Sequence, residues 1–210
     1  DGNRNVLLGK GGDDNIDGGA GNDVIRGGIG ADTLTGGEGI DQLQYKGSSE
    51  GVTVDMNLDA EGLFGASGGD AQGDVLSGFE IVVGSDFGDV LTGDGDRNVL
   101  LGKAGDDDIN GGAGNDIIRG GIGADTLDGG EGTDQLQYKG SSAGVSVDLT
   151  ADTEGFQGAS GGDAEGDVLT GFEAVVGSEH GDVLMAMASR TCCPAKAATI
   201  RSTAAAGRMP

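Results

Sequence analysis

The sequence predicts an all-β repeat protein in which short strands and glycine turns wind into a stacked coil. Glycine fills 47 of the 210 positions, so turns recur at close intervals. A nine-residue unit recurs in tandem, with glycine favoured at its first, second and fourth places, Asp at the sixth and an aliphatic residue at the eighth. Residues 1–91 also align without a gap on 94–184, differing at 20 of 91 positions.

Four nonamers open the chain over residues 9–44, reading GKGGDDNID, GGAGNDVIR, GGIGADTLT and GGEGIDQLQ. Their sixth positions are Asp14, Asp23, Asp32 and Asp41, and their eighth are Ile16, Ile25, Leu34 and Leu43. Glycine admits the left-handed backbone of a tight turn, and the three residues after the Asp have the apolar centre of a short strand. One coil is therefore turn, strand, turn, strand, and residues eighteen apart stack. Residues 45–83 break the period. Val52, Val54 and Met56 alternate with polar residues as in a strand, and GDVLSGFEIVV supplies two further apolar runs split by Gly78. These segments are read as wider coils that continue the stack and bury Phe79 and, in the second copy (138–176), Phe172; a separate small β-domain is the alternative. Asp70, Asp74, Asp163 and Asp167 sit in glycine-rich turns and are read as solvated loop acids, with ligands of further ions as the alternative. Two degenerate nonamers, GSDFGDVLT (84–92) and GDGDRNVLL (93–101), lead into a second block over 102–137. There the sixth positions are Asp107, Asp116, Asp125 and Asp134, preceded by Asp89 and Asn98.

The formal net charge is -24, from 36 acidic and 12 basic residues. Nucleic acid is excluded as a partner because phosphate contacts need clustered Lys and Arg. No segment approaches the roughly 20 apolar residues of a membrane span. Stacking at eighteen residues sets Asp14 beside Asp32, Asp23 beside Asp41, Asp107 beside Asp125 and Asp116 beside Asp134. Carboxylates held that close repel, and burying them unpaired is costly. A hard divalent cation with oxygen ligands removes the conflict. Calcium accepts six to eight oxygens in flexible geometry, magnesium sheds water reluctantly, and zinc prefers the His and Cys that the repeats lack.

These nonamers resemble the RTX family, the hemolysin-type calcium-binding repeat G-G-x-G-x-D-x-U-x. The resemblance implies a parallel β-roll (a right-handed β-solenoid) with Ca2+ ions between successive turns. The lower turn would give the carbonyls of its second and fourth residues and its Asp, the upper turn the carbonyls of its first and third residues and its Asp. Carried over, one site uses Lys10, Gly12 and Asp14 with Gly27, Ile29 and Asp32. The next uses Gly19, Gly21 and Asp23 with Gly36, Glu38 and Asp41. The second block repeats these as Lys103, Gly105 and Asp107 with Gly120, Ile122 and Asp125, then Gly112, Gly114 and Asp116 with Gly129, Glu131 and Asp134. Asp89 is a further expected ligand, and adjacent stacked pairs total about seven ions. Lys10 and Lys103 depart from the pattern at its second glycine, and Asn5 and Asn98 at its Asp. The organisation expected is a first RTX copy over 1–93, a second over 94–184 and a non-repeat tail over 185–210. The resemblance implies a calcium-binding structural module of a secreted or surface bacterial protein, exported by a type I route. Such a chain is disordered without calcium, and its partners are calcium ions and other cell-surface or matrix components. The catalytic domain of a secreted enzyme or toxin lying outside this chain is the alternative.

No enzyme is expected within it. GSSEG and GSSAG match G-x-S-x-G around Ser49 and Ser142, but such matches follow from glycine content, and the only His, His180, faces Phe87 in the first copy's alignment. Arg26, Arg119, Lys46 and Lys139 are read as solvent-facing ion-pair partners. A calcium-independent solenoid that binds ice or glycans would show regular Thr or aromatic rows, which Thr33 and Thr126 do not form. The chain begins at Asp1 without Met and is read as a fragment. After Leu184 the tail MAMASRTCCPAKAATIRSTAAAGRMP holds both Cys and both Pro, and the genetic code allows codons for it that, read one nucleotide earlier, encode the next nonamer. It is read as a frameshifted continuation of the array, in which Cys192 and Cys193 carry no function.

Overall fold

The computed structural model describes residues 2–57, 65–150 and 157–185. The tail beyond Met185, with its cysteines, lies outside them. Two layers of strands enclose a single apolar core. The first layer is an eight-stranded sheet ordered Val6–Gly11, Val24–Ile29, Gln42–Gln44, Ile81–Val83, Val99–Ala104, Ile117–Ile122, Gln135–Gln137 and Ala174–Val176, parallel throughout. The register is that of the repeat: Leu7 pairs with Ile25, Ile25 with Leu43 and Leu100 with Ile118. A parallel sheet of this kind, with evenly spaced neighbours, is what an 18-residue coil makes when each turn of chain rests on the last.

The second layer carries the other strand of each coil. Asn15–Asp17, Thr33–Thr35 and Val75–Ser77 are parallel neighbours, as are Thr53–Asp55, Val90–Thr92, Asp108–Asn110, Thr126–Asp128 and Val168–Thr170. The broken period has its place here. After Gln44 the chain crosses to Thr53–Asp55 and runs back antiparallel to it through Gly65–Ser67. It then resumes beside Thr33–Thr35 at Val75–Ser77. The second copy does the same with Ser146–Asp148 and Gly158–Ser160. Meanwhile the first layer is unbroken, since Leu43 pairs with Val82, and Val82 with Leu100.

The core is the eighth-position row. Ile25, Leu34, Leu43, Leu91, Leu100, Ile109, Ile118, Leu127 and Leu136 are all buried, and the first of the row, Ile16, packs against them half-buried. Period-two alternation sends these side chains inward and their neighbours outward. Val52, Val54 and Met56 join this core, with Phe79 and Phe172, as their alternation and apolar setting predict. The described residues hold two single-turn 3₁₀ helices, Gly69–Ala71 and Gly162–Ala164, and no helix long and apolar enough to cross a membrane.

Candidate metal centre

Each nonamer turn places its Asp where the chain enters a strand, and stacking turns these acids into two lines along the edges of the coil. The lines are hydrogen-bonded. The backbone N–H of Asp14 donates to Asp32 Oδ1 at 2.8 Å, that of Asp23 to Asp41 Oδ1 at 2.7 Å, that of Asp107 to Asp125 Oδ1 at 3.0 Å and that of Asp116 to Asp134 Oδ1 at 2.8 Å. Asn5 and Asn98 donate likewise to Asp23 and Asp116. Asp107 Oδ1 accepts from the Asp89 N–H in the same way, so one oxygen of each carboxylate except that of Asp14, the first of its line, holds the coil below.

The other oxygen has no such partner. Oδ2 of Asp14, Asp23, Asp32, Asp41, Asp107, Asp116, Asp125 and Asp134 is buried without a hydrogen bond. These eight are the sixth-position acids of the eight full nonamers, and they fall into the four stacked pairs that the spacing predicts. A buried, unpaired carboxylate oxygen is costly enough that it requires a counterpart. The glycines show where space for one lies. A Cβ on Gly9 would come within 3.0 Å of both Asp14 Oδ2 and the Gly27 carbonyl of the next coil. The same convergence of carboxylate and carbonyl occurs over Gly18, Gly102 and Gly111, with Gly36, Gly120 and Gly129 supplying the carbonyls. None of these four first-position glycines has a positive φ. This corrects the sequence-based reason for them: they are glycine to keep a space open, whereas the second and fourth positions are glycine for the left-handed turn.

The second position shows that left-handed requirement directly. Gly19, Gly28 and Gly37 have φ of 83°, 108° and 109°, and Lys10 and Lys103, at the equivalent place, are held at 81° and 96°. Among the described residues they are the only non-glycines so placed, a conformation costly for a side chain with a Cβ. The predicted carbonyl ligands do not all face one point. Those of Lys10, Gly12, Gly19, Gly21, Lys103, Gly105, Gly112 and Gly114 point toward the second and fourth glycines of the next coil. Those of Ile29, Glu38 and Ile122 accept from the N–H of Gly12, Gly21 and Gly105, which leaves each a second lone pair. Glu131 is paired in register with Ala113. The side chains of Ile29 and Ile122 are exposed, as befits residues offering only backbone.

Burial dominates the electrostatics. Desolvation raises the Asp107 carboxyl to about 8, against backbone donation from Asp89, with Asp125 and Asp89 adding repulsion. Desolvation likewise raises Asp116 and Asp125 to about 6, and pushes Asp32, Asp41 and Asp134 upward. These groups resist ionising without a cation. The donor set fits calcium: hard carboxylate and carbonyl oxygens at flexible turns, with no His or Cys. Among the described residues no group of three or more His, Cys, Asp or Glu converges, so backbone carbonyls must complete any shell.

Sequence reasoning missed the ends of the lines. Asp74 and Asp167 are not solvated loop acids: both are buried, each accepting from the N–H of Asp32 or Asp125 at 3.0 Å. Their second oxygens accept the hydroxyls of Tyr45 and Tyr138 at 2.9 and 2.7 Å. Glu80 and Glu173 accept from the N–H of Asp41 and Asp134 in the same way. The signal was the Asp-Val-Leu that follows Gly73 and Gly166 as it follows Gly88, hidden by separations of 42 and 39 residues in place of 18. The expected ion pairs of Arg26 and Arg119 are replaced by donation to Gln44 and Gln137 one coil on, and Lys103 with Asp86 is the one ion pair among the described residues. Ser49 and Ser142 are exposed in turns with no α-helix behind them, as is His180, so no nucleophile elbow exists there.

The model of one family, described as RTX calcium-binding nonapeptide repeat (4 copies), matches residues 8–43, 74–109 and 101–136. No curated protein matches the chain.

Proposed function

We propose, from the membership of this chain in the RTX calcium-binding nonapeptide repeat family, that it is a calcium-folded structural module of a secreted or surface protein. Calcium binding by the repeats is the family's property. The observation that carries the rest is the set of eight donorless carboxylate oxygens, in four stacked pairs, each beside a gap kept open by glycine. Bound between turns, calcium supplies the positive charge that lets neighbouring buried acids ionise together.

The residues that would hold it are Asp14 with Asp32 and Asp23 with Asp41 in the first block, and Asp107 with Asp125 and Asp116 with Asp134 in the second, with the first-position carbonyls of Gly27, Gly36, Gly120 and Gly129. The chain's own part is to set these oxygens in line, through the 18-residue register and the N–H to Oδ1 ladder. Without the ion, one buried aliphatic side chain per nonamer returns less than the entropy lost in ordering nine glycine-rich residues. Folding is then linked to calcium by mass action, and the millimolar calcium outside a cell is where the module is ordered.

Circular dichroism in EGTA, followed by calcium titration, tests this. The β signal develops with calcium and metal analysis finds bound ions. At neutral pH, where the paired acids are driven to ionise, an unchanged β spectrum in EGTA, or a folded chain that carries no calcium, overturns the reading.

A further inference from the structure

We infer that the turns 84–89, 93–98 and 177–182, at the joints beside the blocks, hold no ion and are closed by their own side chains, so that calcium loads as two separate blocks. The inference rests on the calcium reading of the blocks and divides that ladder into metal-dependent and metal-free turns.

Asp89 occupies the sixth position of its turn, yet both its oxygens are satisfied. Oδ1 accepts the Val52 N–H at 2.7 Å and the Ser85 hydroxyl at 2.8 Å, and Oδ2 accepts the Ser85 N–H at 2.7 Å. The second copy repeats the Oδ1 half of the arrangement: Asp182 Oδ1 accepts the Val145 N–H at 2.9 Å and the Ser178 hydroxyl at 2.7 Å. In the turn between, Asn98 Oδ1 accepts the Asp94 N–H at 2.8 Å. In all three, the second residue of the turn donates to the sixth. No such bond closes the nonamer turns of the blocks, whose Oδ2 atoms are left without a donor.

The backbone agrees. In the blocks the second and fourth residues of the turn are left-handed, as with Lys10 and Gly12 or Gly19 and Gly21. No residue of 84–89, 93–98 or 177–182 has a positive φ, so these turns lack the paired left-handed residues of the blocks, although the carbonyls of Asp94 and Asp96 still face Gly112 and Gly114 of the next coil. A gap does lie over Gly84 as over Gly9, so crowding alone does not separate the two classes. The donors on the carboxylate do. A serine at the second position supplies, from within the chain, the positive hydrogen-bond field that an ion supplies elsewhere. The blocks then offer four donorless pairs, against the about seven ions counted from spacing alone.

Native mass spectrometry in saturating calcium, on variants whose fold is checked by circular dichroism, decides the matter. Asp89→Asn keeps the wild-type ion count, whereas Asp107→Asn loses at least one ion. Loss of an ion from both variants overturns this inference and leaves the calcium reading standing. Retention of the full count by Asp107→Asn overturns the calcium reading itself. Ser85→Ala provides an arm that does not depend on Asp89: with the hydroxyl gone, melting in calcium falls by about 2–4 °C. Unchanged melting means that something other than Ser85 holds Asp89, and also overturns the inference.

Discussion

Replacing Gly102 with alanine isolates the space that the candidate centre needs. Gly102 has no positive φ, so an added methyl does not meet the left-handed penalty. By backbone entropy alone, Gly→Ala at a compatible position stabilises by about 0.4–1 kcal/mol. Here the new Cβ would come within 3.0 Å of Asp107 Oδ2 and of the Gly120 carbonyl on the next coil. The carboxylate can swing aside, but the carbonyl belongs to backbone paired between coils. Overpacking of this kind costs roughly 1–3 kcal/mol. Taken wholly from the ion-bound state, that is about a 5- to 150-fold loss of calcium affinity in the second block. The control is Gly95→Ala, at an exposed glycine with no positive φ and no atom within 4 Å of the added carbon. Isothermal titration with calcium, followed by circular dichroism at each calcium concentration, reads both. Equal affinity for Gly102→Ala, Gly95→Ala and the wild type would refute the claim that first-position glycines guard an ion-sized gap.

Two further outcomes follow from the electrostatics and the ends of the acid lines. Asp107, raised to about 8, and Asp116, Asp125 and Asp74, raised to about 6, bind more protons folded than unfolded between an unfolded value near 3.9 and those figures. Stability of the metal-free fold therefore falls as pH rises from about 4 to 8, and the β signal in EGTA weakens over that window; a signal that strengthens with pH contradicts the assignment. Tyr45→Phe removes the hydroxyl from buried Asp74 and costs about 1–3 kcal/mol. Tyr138→Phe does the same to Asp167, and because the two pairs sit in different copies their losses in a denaturant series add.

Much of this was legible in the residues. The eighth-position aliphatics, read as the apolar centres of short strands, form the core, and the 18-residue stacking read from the nonamer is the register of Leu7 on Ile25 and Leu100 on Ile118. Repetition made both readable, since a unit too short to bury its own apolar face has to lie on its neighbour. The role of the first glycine was misread because sequence shows only the missing side chain, and that absence serves either an unusual φ or a close approach. Asp74 and Asp167 were misread because their partners lie 42 residues away, across an antiparallel strand that no period announces.

The sequence by itself determined which side chains stack, because a nine-residue period in parallel coils leaves one register that keeps the aliphatic row inward. Only the tertiary structure decided which carboxylates lack a donor. Asp107 and Asp89 are both sixth-position acids of the repeat, but one leaves an oxygen bare and the other has three donors. That difference lies in how backbone and hydroxyl groups from separate coils meet around the acid, and a buried charge answers to those neighbours more than to its place in the repeat.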